Sequence, residues 1–156
     1  MLSLLAAVAA TIALNVSPSP SNAGWEGAEW GMTPEQVSAA VSGVRAVRRG
    51  MSLSGARKQG VRDTELYEIA LEASYFYRSG GLAFVRFDVP FTQCEALVDG
   101  LLADHGQPTN VSDQVILKVI TWEDPEAGNR LVLLHSTAGI CDLRIRPTEQ
   151  TGGQAD

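Results

Sequence analysis

The chain has 156 residues, of which 45% are hydrophobic, and its 18 acidic and 12 basic residues give a formal net charge of −6. This length is typical of one domain. The acidic balance argues against a nucleic-acid-binding protein, because such proteins usually carry a basic surface. The longest apolar run, Leu2 to Leu14, is too short to cross a bilayer as a helix, which takes about 20 residues.

The apolar run at the N-terminus has the form of a secretory signal peptide. Pro18 and Pro20 follow it, and Ser21-Asn22-Ala23 supplies small residues for cleavage after Ala23. Residues 1–23 contain no Lys or Arg, so the usual N-terminal positive charge comes from the terminal amine or from a start further upstream. We expect a periplasmic or secreted protein, and a buried N-terminal helix is the alternative.

Export would determine the state of the two cysteines. Cys94 falls at helical spacing with Leu97 and Leu101, and Cys141 alternates with Leu143 at strand spacing, so both are predicted to face the core. An oxidising compartment converts paired thiols to a disulfide. We therefore predict a Cys94–Cys141 disulfide, with two unpaired buried thiols as the alternative.

Two segments carry the signals of a helix start and a helix end. Thr33 can cap a helix whose first residue is Pro34, and Gln36 can complete a capping box, which predicts a helix over residues 34–41. A second helix is predicted over residues 92–105, where Gly106 provides the stop.

Residues 45–62, the basic segment, are rich in Gly, Ser and basic side chains. They contain six of the twelve basic residues and no acid. Such a segment can attract an anionic partner, for example lipid headgroups or an acidic protein face, but the favoured interpretation is a mobile, solvated connection. Its candidate contact residues are Arg48, Arg49, Arg57 and Lys58.

A β-hairpin is predicted over residues 67–89. An alternating apolar pattern begins at Tyr67, and Ser79-Gly80-Gly81 supplies the turn. The opposite face of this hairpin carries Phe76, Phe84 and Arg86. Interfaces favour aromatic residues and Arg, so this face is a candidate protein-binding surface. In the alternative, the basic segment folds over the sheet and covers both Phe side chains.

Three further strands are predicted over residues 115–122, 130–135 and 140–146, and residues 148–156 are predicted to be a disordered tail. The order of helix, two strands, helix and three strands indicates two degenerate copies of one α-β-β(-β) unit. We therefore expect residues 24–147 to form a single α+β domain, with an antiparallel sheet and both helices on one face.

The helix start Gly31-Met32-Thr33-Pro34-Glu35-Gln36-Val37 resembles the Gly-Met-Thr helix opening of the SmpA/OmlA (BamE-like) outer-membrane assembly lipoproteins and of β-lactamase-inhibitor-like tandem domains. The run from Leu97 to Pro108, followed by Trp122 and Cys141, resembles uncharacterised exported bacterial proteins of similar tandem build. Together these resemblances cover most of residues 25–147. They imply an exported protein of tandem α-β-β build, and they carry over no functional residue.

The sequence contains no Gly-x-Ser-x-Gly elbow, no His-Glu-x-x-His motif and no phosphate-binding glycine loop. A metal site of Cys94, Cys141, His105 and His135 lacks the ligand spacing of zinc sites, so neither a metal nor a cofactor is expected. We therefore predict a non-enzymatic interaction module with an unidentified protein partner. Two alternatives stay open: an envelope structural factor that contacts anionic lipid or peptidoglycan through the basic segment, and a small secreted hydrolase with an unconventional site.

Overall fold

A computed structural model of the chain describes residues 23–148. The predicted signal peptide and tail lie outside these residues, except for Ala23 and Thr148. A 3-10 turn at Phe91–Gln93 leads into the second helix. The elements of the described chain are β1 (Gly24–Trp25), β2 (Ala28–Glu29), α1 (Pro34–Ala40), β3 (Arg45–Ala46), β4 (Ser52–Leu53), β5 (Ala56–Leu66), β6 (Ile69–Arg78), β7 (Gly81–Asp88), α2 (Cys94–His105), β8 (Asn110–Asp113), β9 (Leu117–Asp124), β10 (Asn129–Ser136) and β11 (Ile140–Pro147).

Nine of these strands form one antiparallel sheet, in the order β3-β5-β6-β7-β11-β10-β9-β8, with β4 paired to β5. The strands that follow α1 form one meander and those that follow α2 form a second, and the two meet where β7 pairs with β11. The described residues thus form a mostly antiparallel sheet with two short helices, which confirms the α+β class. In this part of the chain, neither helix is long and apolar enough to span a membrane.

The main core lies between one face of the sheet and the helices. Tyr75, Phe87 and Leu133 from three strands are fully buried in the same cluster as Val37 of α1 and Leu97 of α2. Burying a side chain of this size contributes about 1.5–3 kcal/mol. Both helices contribute to this one cluster and therefore cover the same sheet face. The opposite face, which neither helix covers, is called the open face below.

Helix α1 begins at the predicted cap. The Thr33 hydroxyl accepts a hydrogen bond from the Gln36 amide at 3.3 Å, and the Gln36 side-chain oxygen accepts one from the Thr33 amide at 2.8 Å. This capping box pairs two backbone N–H groups that the helix itself leaves free, and such a cap contributes about 1 kcal/mol. The predicted start at Pro34 is confirmed, and the helix ends at Ala40, one residue earlier than predicted.

The predicted disulfide is confirmed. It joins the first residue of α2, Cys94, to Cys141 near the start of β11, with the two Cα atoms 5.9 Å apart. Both cysteines are 1% exposed, and because they are bonded to each other they cannot serve as metal ligands. Helix α2 ends at His105 as predicted, but it begins two residues later than predicted because Phe91–Gln93 form the 3-10 turn.

The basic segment contributes to the sheet, so its interpretation as a mobile, solvated connection is wrong. It forms β3, β4 and the first half of β5, with Arg45 paired to Val61 and Ala46 paired to Gly60. The hydrogen bonds between strands use backbone groups, which every residue except proline supplies in full. A Gly- and Ser-rich sequence can therefore extend a sheet without an alternating apolar pattern.

The hairpin strand predicted from residue 67 begins at Ile69, because Tyr67 and Glu68 form the turn between β5 and β6. Both turn residues have positive φ values, 50° and 63°, a conformation that two-residue hairpin turns usually assign to Asn or Gly. The Tyr67 ring lies against Gly100 of α2, and burial and the neighbouring Asp104 raise the pKa of its hydroxyl. These contacts with α2 hold a turn that its own residues do not favour.

Candidate functional site

The surface predicted around Phe76, Phe84 and Arg86 lies on the open face. Phe76 and Phe84 are paired across β6 and β7, and their rings stack with centroids 4.6 Å apart. They are 0% and 5% exposed, because Leu53 and Ala56 of the β4–β5 hairpin pack against them. The structure therefore shows the alternative in which the basic segment folds over the sheet and covers both Phe side chains. The expectation of an exposed Phe76–Phe84 patch is therefore wrong.

Arg86 belongs to a charged cluster around Asp142. The Nε of Arg86 donates to Asp142 Oδ2 at 2.6 Å, and the Nε of Arg144 donates to Asp142 Oδ1 at 3.0 Å. The Asp142 side chain is 5% exposed, so guanidinium groups rather than water satisfy its charge. Arg86 and Arg144 are themselves paired across β7 and β11. One buried carboxylate thus orients two arginines.

A groove of about 310 Å³ adjoins this cluster on the open face. Apolar side chains and arginines line it together, and no acidic residue is among its lining residues, although the whole chain has a net charge of −6. The groove therefore combines positive charge with apolar contact. Its lining residues are Ser54, Arg78, Ala83, Phe84, Val132, Leu134, Arg144, Arg146 and Pro147.

The three arginines of the groove differ in their bonding. Arg78 donates from Nη2 to the Ser54 carbonyl at 2.7 Å, which ties the end of β6 to the β4–β5 turn. Arg144 is held by Asp142. The Nε of Arg146 is buried and has no hydrogen-bond partner within residues 23–148. The guanidinium of Arg146 therefore makes no hydrogen bond or ion pair within this part of the chain.

The four candidate residues of the basic segment lie outside the groove. Arg48 and Arg49 are exposed between β3 and β4, and Arg57 is exposed on β5. Lys58 is half-buried and is paired with Phe76 across β5 and β6. Arg48, Arg49 and Arg57 make no ion pair with any residue of the described range. None of these four residues therefore lines the groove or contacts Asp142 of the charged cluster.

Sequence reasoning found Arg86 and missed Arg78, Arg144 and Arg146. Asp142, Arg144 and Arg146 alternate along β11, which puts them on one face of the strand, and this pattern was available in the sequence. Arg78 carries no comparable signal, because its place in the groove depends on the β4–β5 turn that it contacts.

The groove offers hydrogen-bond donors and apolar contacts. Its guanidinium groups donate hydrogen bonds, and its one side-chain hydroxyl, that of Ser54, has no carboxylate or imidazole beside it among the lining residues. Elsewhere, His105 Nδ1 lies 3.8 Å from Asp124 Oδ2, and the His135 ring lies against Phe91. Residues 23–148 contain no group of His, Cys, Asp or Glu arranged to hold a metal ion. The arrangement on the open face can hold an anion that has apolar neighbours.

No family model and no curated protein matches the sequence, and neither comparison supports the resemblance to SmpA/OmlA or β-lactamase-inhibitor-like proteins. Among solved structures, the chain is similar to a DUF4309 family protein, YjgB, from Bacillus subtilis subsp. subtilis str. 168. The two are 10% identical, with a TM-score of 0.44 over 74% of this chain and 78% of that chain. A similarity at this level assigns neither a fold family nor a function.

Proposed function

We propose that this protein is an exported, non-enzymatic interaction module of the cell envelope, and that a partner protein docks on the open face of its sheet. The observation that carries the proposal is the groove, where Arg144 and Arg146 lie beside the part-exposed apolar side chains of Val132 and Leu134. Protein interfaces are enriched in Arg and combine it with an apolar centre. Neither helix covers this surface, so it is accessible to a partner.

A location in the periplasm or outside the cell is part of the proposal. It is supported by the signal-peptide features of residues 1–23 and by the Cys94–Cys141 disulfide, a bond that persists in oxidising compartments. N-terminal sequencing of protein from envelope extracts tests it. A mature chain that begins at Gly24 supports export, and intact Met1 on a cytoplasmic protein contradicts it.

Site-specific photo-crosslinking tests the docking face. A benzophenone amino acid at Thr121, which is paired with Val132 beside the groove, should give one discrete crosslinked protein in envelope extracts. Excess unlabelled protein should compete for this product. The matched control carries the same group at Ala96, an exposed residue of α2 on the helix side. Equal crosslinking from both positions, or none from Thr121, would count against docking on the open face.

A second candidate function is contact with an anionic envelope component, such as lipid headgroups or peptidoglycan, through the basic segment. The observation in its favour is that Arg48, Arg49 and Arg57 are exposed and form no ion pair within the described part of the chain. Cosedimentation with phosphatidylglycerol vesicles and with purified peptidoglycan tests it. Binding that is lost when these three arginines become glutamine supports this candidate, whereas no binding removes it.

We also propose that the two halves of the domain are degenerate copies of one α-β-β(-β) unit. Support comes from the topology, since each helix is followed by an antiparallel meander and the last strands of the two meanders pair with each other.

A further inference from the structure

Arg146 is the arginine of the groove whose bonding is incomplete. Its Nε has no partner within residues 23–148, whereas Arg144 binds Asp142 and Arg78 binds the Ser54 carbonyl. Three guanidinium groups around one cavity without an acidic lining residue create a positive local potential. An oxyanion in the groove would lower this potential and could pair with the guanidinium of Arg146, which makes no ion pair within residues 23–148.

The groove also has an apolar part, which restricts the kind of anion. Phe84, Val132 and Leu134 line the same cavity as the arginines, so a ligand fits best when an apolar group accompanies its anionic group. The planar guanidinium fork matches a carboxylate through two parallel hydrogen bonds. The expected ligand therefore carries a carboxylate and an apolar group close to each other.

The size of the groove favours a peptide over a lipid. A volume of about 310 Å³ lies at the lower end of the range for ligand pockets, which suits one or two side chains better than the acyl chains of a lipid. In an extended peptide, residues two positions apart face the same side, so both groups can enter the groove together.

Resting on the proposed function, we infer that the open face recognises an acidic peptide segment of the partner. An Asp or Glu carboxylate of this segment pairs with Arg146 between Arg78 and Arg144, and an apolar residue two positions away packs on Val132 and Leu134. This gives the docking face a specificity that a general apolar contact would not have.

The test uses the full, disulfide-bonded protein and two short blocked peptides. In the first, leucine and glutamate stand two residues apart with serine between them, and in the second glutamine replaces glutamate. The glutamate peptide should shift the Nε–H resonance of Arg146 in NMR spectra, and the glutamine peptide should not. The affinity should also fall as the salt concentration rises.

Variants with the same change of charge identify the contact. Arg146→Gln should weaken binding of the glutamate peptide about tenfold or more, because hydrogen bonds to charged groups are the strong ones. The matched control is Arg49→Gln, which removes an exposed arginine outside the groove and should change the affinity by less than about twofold. Circular dichroism checks that each variant is folded. If Arg146→Gln does not fold, Arg78→Gln at the exposed end of β6 provides the same test and should weaken binding several-fold.

Three results would overturn the inference: equal binding of both peptides, no shift of the Arg146 resonance, or binding to phosphatidylglycerol vesicles that depends on Arg146. Displacement of the peptide by inorganic phosphate at lower concentration than by acetate would overturn the assignment to a carboxylate. If the partner crosslinks from Thr121 but the glutamate and glutamine peptides bind equally, the carboxylate subsite is wrong and the docking face stands. Glutamate-dependent binding without crosslinking would retain the subsite and remove the docking face.

Discussion

Replacing both cysteines by alanine removes the covalent link between α2 and β11 without leaving a free thiol. The link closes a segment of 47 residues. In the chain-entropy model, a loop of this length lowers the entropy of the unfolded chain by about 14 cal/mol/K, which corresponds to about 4 kcal/mol at 25 °C. The loss of two buried sulfur atoms adds a smaller packing cost of about 1 kcal/mol. We therefore expect Cys94→Ala/Cys141→Ala to lower the free energy of unfolding by about 4–5 kcal/mol, a large part of the total for a typical domain.

Urea unfolding followed by tryptophan fluorescence measures this difference. The dependence of the free energy on urea concentration should be steeper for the variant, because an unfolded chain without the cross-link exposes more surface. The control is the wild-type protein with a reductant, which opens the same link and keeps the sulfur atoms. A loss of less than about 1 kcal/mol with an unchanged slope would refute the loop-closure reasoning.

Three further perturbations test other parts of the structure. Asp142→Ala removes the carboxylate that two neighbouring guanidinium groups share, and should lower the free energy of urea unfolding by about 2–3 kcal/mol. The expected loss is smaller than for a fully buried pair because the side chains of both arginines are about one-fifth exposed. Unchanged stability would contradict this. Gly100→Ala should lower the melting temperature although alanine favours helices, because the new Cβ would lie 2.2 Å from Cγ of Tyr67. The control is Ala103→Gly on the exposed side of the same helix, which should lower the free energy of unfolding by only about 1 kcal/mol. Burial raises the pKa of all three tyrosines, Tyr67, Tyr75 and Tyr77. The stability that their neutral phenols contribute is therefore complete below about pH 10, and it is lost as the pH rises further and the phenols of the unfolded chain ionise. Tyrosinate absorbance that appears in the folded protein near pH 10 would contradict this.

The features that could be predicted from the sequence depend on neighbouring residues along the chain. The cap of α1 needs only Thr33, Pro34 and Gln36, and these side chains meet across one helical turn. The three C-terminal strands follow from alternating apolar residues between clear turns, and their predicted and observed bounds differ by at most two residues. The disulfide was predictable because the chain has two cysteines and both occupy core-facing positions.

Only the tertiary structure decided the features that combine distant segments. The basic segment forms strands because β5 pairs with β6 and in turn supplies backbone partners to β3 and β4, and such hydrogen bonds leave little trace in side-chain order. The turn at Tyr67 depends on contact with Gly100, which lies 33 residues further along the chain. The alternation of the sequence places Phe76 and Phe84 on the sheet face away from the main core, yet the β4–β5 hairpin covers them. The groove takes Ser54 from that hairpin, Arg78 from β6 and Arg146 from β11. No local pattern could bring these residues together, because their proximity depends on strand pairing between segments far apart in the chain.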